Sequence, residues 1–389
     1  MQPARRITDL PPYPFASLGR VIAEMSSRGV DVIRLDIGSP DLPPTEAIIR
    51  TLQQAAAKES QHGYGGYFGT KRFRQAVATY YERRFGVQLD PETQVLPLIG
   101  SKEGIANIAT AWLDPGDVAL VPDPGYPTYS MAPHMVGAGS YAMPLREEND
   151  FLPDLSAIPG DVLKRARLMW LNYPNNPTGV GAPESYLKEA VEFCREHDLL
   201  LCYDAPYCEN TYNGYRAPSI LETPGAMDVA LEFNSLSKSH NLAGWRVAMA
   251  VGNPVAVRAL ALVKSNVDSG IALPVQEMAI EALTGDQSWL EQRNAVYAER
   301  MEATIAALRR MGLQVRRPQG AIYIWTPVPE GWKSADFCQQ LLAATGVSIA
   351  PGSTFGDYGE GYARISLVQP VERIAEAMER WEKWWSERA

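Results

Sequence analysis

Near-continuous apolar runs recur along the chain, and each stops abruptly in polar, glycine or proline residues. VIRLDIG (32–38), VALVPDPGY (118–126), RLMWLNYPNNPTG (167–179), LLLCYDAPY (199–207) and DVALEFNSLSK (228–238) follow this grammar. A strand covered on both faces needs apolar side chains at odd and even positions alike, so these runs predict buried sheet strands. Between two of them, ESYLKEAVEFCREHD (184–198) puts Leu187, Ala190, Val191 and Cys194 on one helical face. Strand, helix and strand repeated over this length predict an α/β fold, with a mainly parallel central sheet flanked by helices. Ligands of such sheets lie beyond the carboxyl ends of the strands. Tyr126, Asn176, Asp204 and Lys238 all fall at predicted carboxyl ends.

From about Leu273 the pattern changes. One long helical region, roughly 274–311, leads to LQVRRPQGAIYIWTPV (313–328), ADFCQQLLAATG (335–346), and the short runs VSIAPG (347–352) and ARISLV (363–368). A final helix has Val371, Ile374, Met378, Trp381 and Trp385 on its inward face. This texture predicts a smaller α+β domain. The expected division is an N-terminal arm (1–45) packing on the small domain, a large ligand-binding domain (46–275) and the small C-terminal domain (276–389).

Composition narrows the function. The 389 residues are 46% hydrophobic and 21% charged, an ordinary globular balance. A net charge of -9 draws the molecule towards neither nucleic acid nor anionic lipid. No run is long enough to span a membrane, and the first residues lack a signal-peptide core. Cys194, Cys202, Cys208 and Cys338 form no CxxC pair, and His62, His134, His197 and His240 are scattered, so no metal site is expected. A reducing cytoplasm fits these thiols.

The chemistry concentrates in NSLSKSHNLAGWR (234–246). A lone lysine at a strand end is ordinarily a solvated group. Here Ser235, Ser237 and Arg246 surround Lys238 with donors that suit a phosphate. A lysine beside such a dianion condenses with a carbonyl ligand, so a phosphorylated aldehyde would use the whole stretch. In IGSKEGI (99–105) a glycine–serine turn begins a helix whose free N–H groups suit an anion, although a plain capping turn reads the same way. The GxxxxGK[ST] spacing of a nucleotide phosphate loop is absent. Asp204 ends a very apolar strand, where a carboxylate needs a cation, such as a protonated ring nitrogen, or a turn to cap. Arg364, in an alternating strand, calls for a substrate carboxylate or a structural ion pair.

LDIGSPD, HGYGGYFGTKRFR, IGSKEG, DPGYP, NYPNNPTG, YDAPY, SLSKSHNLAGWR and ARISL, in this order, resemble the class I/II pyridoxal-phosphate-dependent aminotransferases of fold type I. The resemblance implies pyridoxal 5'-phosphate as cofactor. It makes Lys238 the residue that holds the cofactor and carries a proton to and from the substrate's α-carbon. Asp204 becomes the partner of the ring nitrogen, Asn176 and Tyr207 the partners of the ring oxygen, and Tyr126 the stacking aromatic. Ser101, Lys102, Ser235 and Arg246 match the phosphate cup. Arg364 matches the clamp on the substrate α-carboxylate, helped by the backbone of Gly38. Tyr64 matches a tyrosine that reaches the phosphate of a neighbouring subunit, which implies a homodimer with shared active sites; Ser265 and Asn266 match a segment at that interface.

The implied reaction moves an amino group from an L-amino acid to a 2-oxo acid by a ping-pong route. Within the family the chain looks most like the LL-diaminopimelate aminotransferase branch, with 2-oxoglutarate as the acceptor. Members specialised for diaminopimelate often carry glutamate where Tyr67 stands here. A broad alanine, glutamate or aromatic aminotransferase, or a β-lyase type of chemistry on the same scaffold, are the alternatives. A non-catalytic regulator is disfavoured, because it needs a DNA-binding domain ahead of the first motif.

Overall fold

The computed structural model describes residues 1–10 and 14–388; residues 11–13 of the proline-rich arm and the final Ala389 lie outside the described residues. Among the described residues twelve strands form, in chain order: β1 (Ile33–Arg34), β2 (Val95–Leu98), β3 (Val118–Asp123), β4 (Gly139–Pro144), β5 (Ala166–Asn172), β6 (Leu200–Asp204), β7 (Ala230–Ser235), β8 (Ala248–Gly252), β9 (Tyr323–Pro327), β10 (Val347–Ser348), β11 (Ala350–Pro351) and β12 (Tyr362–Ser366). Seven of them make one sheet in the order β2-β8-β7-β6-β5-β3-β4. Only β8 runs against its neighbours, so the sheet is mainly parallel, as the apolar runs predict.

The runs are covered on both faces. In β5, Leu168 and Trp170 enter one apolar core while Met169 and Leu171 enter another; in β6, Leu200 and Cys202 part in the same way from Leu201 and Tyr203. Period-two alternation between two dry layers is why these strands read as unbroken hydrophobic sequence. A second sheet, β11-β12-β9, is antiparallel and packs with helices Trp289–Arg310, Ser334–Thr345 and Val371–Ser386 around a separate core. β1 pairs in parallel with β10, and Asp31 just before it binds Arg373 and Arg380 of the last helix.

Several boundaries differ from the sequence pattern. The strands of the large sheet run into the first polar residues of their tails, ending at Asp123, Asn172, Asp204 and Ser235, and the rest of each tail leaves the sheet at its carboxyl edge. VIRLDIG yields only the two residues of β1, outside the large sheet. The last run divides into a helical turn (Ala226–Val229), β7 and a second turn (Leu236–Ser239). The long helix is two, Leu273–Thr284 and Trp289–Arg310. Extended Gly285 breaks it, and the Asp286 carboxylate accepts from the Ser288 amide at 2.9 Å just before the second helix. In the final helix Trp384 takes a buried place and Trp385 packs at the rim, both against Phe337. All four cysteines are buried free thiols. Among the described residues no helix is long and apolar enough to cross a membrane.

Candidate active site

A cavity of about 380 Å³ opens where the carboxyl ends of β5, β6 and β7 meet β9, β12 and the segment after β1. Asp204, the last residue of β6, is 4% exposed at its floor. Its Oδ2 accepts from the Tyr129 hydroxyl at 2.6 Å, whereas its buried Oδ1 has no hydrogen-bond partner among the described residues. Burial pushes this carboxyl up to about 7, against the lowering effect of Tyr129. A half-satisfied buried carboxylate suits a cationic N–H donor, and the protonated nitrogen of a pyridine ring is such a donor.

At the end of β5, the Asn172 amide donates to the backbone oxygen of Asp204 at 2.7 Å and accepts from the Asn176 backbone at 2.8 Å. NYPNNPTG is therefore more than a turn: it projects Asn176 over the same floor. Tyr207 shares a hydrogen bond of 2.9 Å with the Tyr323 hydroxyl. Tyr126 lines the wall, its ring edge-on to Tyr129.

β7 delivers the lysine. The Ser235 side chain accepts from the Ser237 amide at 3.2 Å and caps the turn Leu236–Ser239 that carries Lys238 into the cavity. Nζ of Lys238 donates to the carbonyl of Gly38. Burial first, then the charges of Arg364 and Arg246, bring its pKa down from 10.5 to about 8. Arg246 takes a left-handed backbone (φ 53°) and donates to the Ser237 hydroxyl at 3.3 Å. A Cβ on Gly100 would collide with the Arg246 guanidinium, so glycine there lets the cation lie against the start of helix Ser101–Trp112. Guanidinium, helix N-terminus, Ser101 and Lys102 together suit a phosphate.

Arg364 of β12 is 3% exposed, with its guanidinium over the Tyr323 ring at 4.1 Å and the Phe355 ring at 4.7 Å. It donates to the Asn176 side-chain oxygen and to the backbone oxygen of Asp36, both at 2.8 Å. The guanidinium thus stands at the cavity wall held by neutral oxygens, an arrangement suited to clamping a carboxylate.

The cavity gathers the expected Gly38, Ser101, Lys102, Tyr126, Asn176 and Asp204, and with them Tyr207, Ser235, Lys238, Arg246 and Arg364. Tyr64 does not line it; its side chain is 87% exposed on this chain. Ser265 and Asn266 also lie outside, near the end of helix Pro254–Val267. Sequence reasoning missed Tyr129, Asn172, Tyr323, Phe355, Arg34 and Asp36, which line the cavity too. Only Asn172, at a strand's carboxyl end, carried the positional signal that marked the others.

The sequence profile of aminotransferase class I and II matches residues 30–380. LL-diaminopimelate aminotransferase of Moorella thermoacetica is 50% identical over 380 residues, covering 98% of this chain and 97% of that protein. The enzyme of that name from Dehalococcoides mccartyi is 50% identical over 374 residues, covering 96% of each. Among solved structures, substrate-bound BacF from Bacillus subtilis superposes with a TM-score of 0.96 at 35% identity, covering 99% of this chain and 98% of that one. A probable N-succinyldiaminopimelate aminotransferase from Thermus thermophilus gives 0.90 at 38% identity, covering 95% and 99%.

Proposed function

This chain belongs to the class I and II aminotransferase family and is an aminotransferase, and we propose that it takes its amino group from LL-diaminopimelate, holds pyridoxal 5'-phosphate at Lys238 and passes the group to a 2-oxo acid such as 2-oxoglutarate. The observation that carries the donor is the 50% identity, over 98% of the chain, to a relative of that name. The family uses this cofactor, and the unpartnered Oδ1 of Asp204 supports its fit here.

When bound, the cofactor supplies an electrophilic carbonyl and a protonated ring that draws electrons from the substrate's α-carbon. The chain's own residues do the rest. Asp204, whose lone buried charge is disfavoured, would hold the ring nitrogen and would be stabilised as an anion by its positive charge. Tyr207 and Asn176 would hold the ring oxygen, and burial keeps the Tyr207 phenol protonated. Ser101, Lys102, Ser235 and Arg246 would hold the phosphate. Arg364 fixes the α-carboxylate, so that the α-proton points at one amine. Lys238, brought to about 8, is neutral in a useful fraction near neutrality and accepts that proton as general base.

A homodimer completes this reading. Tyr64, Tyr67 and Phe68 are exposed, as are Leu262 and Val267. The loop carrying Tyr64, Tyr67 and Phe68 meets the segment just after helix Pro254–Val267, since a Cβ on Gly270 would strike the Gly66 carbonyl. A second copy seated on this apolar face would cover these side chains, and the family resemblance would have its Tyr64 reach the phosphate end of the cavity.

The test is a donor–acceptor panel with LL-diaminopimelate, glutamate, alanine, aspartate and aromatic amino acids. The expected result is the highest kcat/KM for LL-diaminopimelate, with the cofactor's absorbance lost on adding donor and restored by 2-oxo acid. Preference for another donor overturns the donor assignment, and irreversible release of pyruvate and ammonia overturns its transfer chemistry.

A further inference from the structure

Most charged groups of the cavity have a place in this reading. Asp204, Lys102, Lys238 and Arg246 face the cofactor, and Arg364 faces the α-carboxylate. Two remain. Arg34 and Asp36 stand two residues apart after the start of β1 and line the same cavity. Arg34 Nε donates to Asp36 Oδ1 and Nη2 to Oδ2, both at 2.7 Å. Asp36 is 3% exposed, while the Arg34 side chain keeps 30% of its surface. The backbone oxygen of Asp36 also accepts from Arg364, which sets the pair beside the α-carboxylate clamp.

LL-diaminopimelate is an amino acid at both ends. A site that seats one end at Arg364 and Lys238 needs an anion for the far ammonium and a cation for the far carboxylate. The leftover pair is that complement. It can serve without coming apart, because each Asp36 oxygen keeps a second lone pair and Arg34 Nη1 lies outside the bidentate fork. Left empty, the pair neutralises itself and avoids the cost of lone buried charges.

We propose that the Arg34–Asp36 pair selects the far end of the donor, Asp36 receiving a distal ammonium and Arg34 a distal carboxylate. This builds on the donor assignment above. A competing role exists on geometric grounds: the pair could serve only to fix the Asp36–Gly38 backbone, whose carbonyls meet Arg364 and Lys238.

The test compares holoenzyme with Asp36→Asn and Arg34→Gln on four donors. LL-diaminopimelate has both distal charges, L-lysine lacks the distal carboxylate, L-2-aminopimelate lacks the distal ammonium, and L-alanine lacks both. Asp36→Asn should lower kcat/KM by about tenfold or more for LL-diaminopimelate and L-lysine only. Arg34→Gln should do so for LL-diaminopimelate and L-2-aminopimelate only. The losses should lie in KM, and in the half-saturation of the cofactor's absorbance change when donor is added without acceptor. Equal losses on all four donors, or none, overturn the proposal. A wild type that prefers alanine to LL-diaminopimelate overturns the donor assignment instead; the pair is then judged on whether L-lysine and L-2-aminopimelate each respond to their own variant. Should Asp36→Asn fail to fold, Arg34→Gln, at the more exposed member, decides the question.

Discussion

Replacing the reactive lysine should make the cofactor-free protein more stable. Lys238 is held at about 8 rather than 10.5, by burial and by the charges of Arg364 and Arg246. At about 1.36 kcal/mol per pH unit, the protonated form costs the fold at most about 3 kcal/mol, a ceiling because Lys238 keeps part of its surface open to the cavity. Lys238→Met preserves length and removes the charge. It also leaves the Gly38 carbonyl without this donor, which takes back about 1 kcal/mol. The net gain should be about 2 kcal/mol at pH 7. The sign of its pH dependence is fixed: below pH 8 lysine is protonated in folded and unfolded chains alike and the full cost stands. Between about 8 and 10.5 only the unfolded chain stays protonated, so the wild type gains stability as pH rises and the gap closes. Urea unfolding of both cofactor-free proteins from pH 6.5 to 10.5 measures this. A variant no more stable than wild type at pH 7, or a gap that does not change with pH, refutes the reasoning.

Asp204→Asn should raise the stability of the cofactor-free protein above pH 7, because wild-type stability falls as pH rises from 3.8 to about 7, where the buried carboxyl ionises; the same change should weaken cofactor binding, read by equilibrium dialysis. Tyr323→Phe removes one hydroxyl from Tyr207 but keeps the ring under Arg364, so kcat/KM should fall by only about two- to tenfold with little change in melting temperature, whereas Tyr323→Ala should cost about 3–5 kcal/mol of stability. Mixing Lys238→Ala chains with Tyr64→Ala chains should restore activity through mixed dimers, in which one site holds an intact Lys238 and an intact Tyr64; absence of recovery in a demonstrated mixed dimer counts against shared sites.

The sheet was readable because its strands are dry on both sides, which leaves a run of apolar residues with a sharp polar end. That sharp end is also where Asp204, Asn176 and Lys238 stand, so position marked residues that the fold gathers around one cavity. What stayed hidden depends on partners far away in sequence. Tyr129 bonds Asp204 across 75 positions, and Tyr207 meets Tyr323 across 116. A tyrosine inside an apolar run reads as core, and nothing local says where its hydroxyl will land. The Arg34–Asp36 pair was hidden differently: the run VIRLDIG read as a buried apolar strand, and only the fold ends β1 at Arg34 and turns both charges onto the cavity.

Arg364 explains why the site and the fold are hard to separate. Its guanidinium bonds Asn176, on the loop after β5, and the Asp36 backbone, just after β1. Three distant stretches of chain therefore meet on one cation before any ligand arrives. A carboxylate reaching Arg364 enters a fork already aligned by these neutral oxygens and by two aromatic faces, so little conformational freedom remains to be lost on binding. The same economy operates at Lys238, whose hydrogen bond to Gly38 ties β7 to the segment carrying Asp36. Binding a donor thus draws on contacts that also hold the small antiparallel sheet beside the large one. Substitutions at Arg364 or Gly38 should disturb donor affinity and the packing of the two sheets together, whereas those at Arg34 should act on the donor's far end.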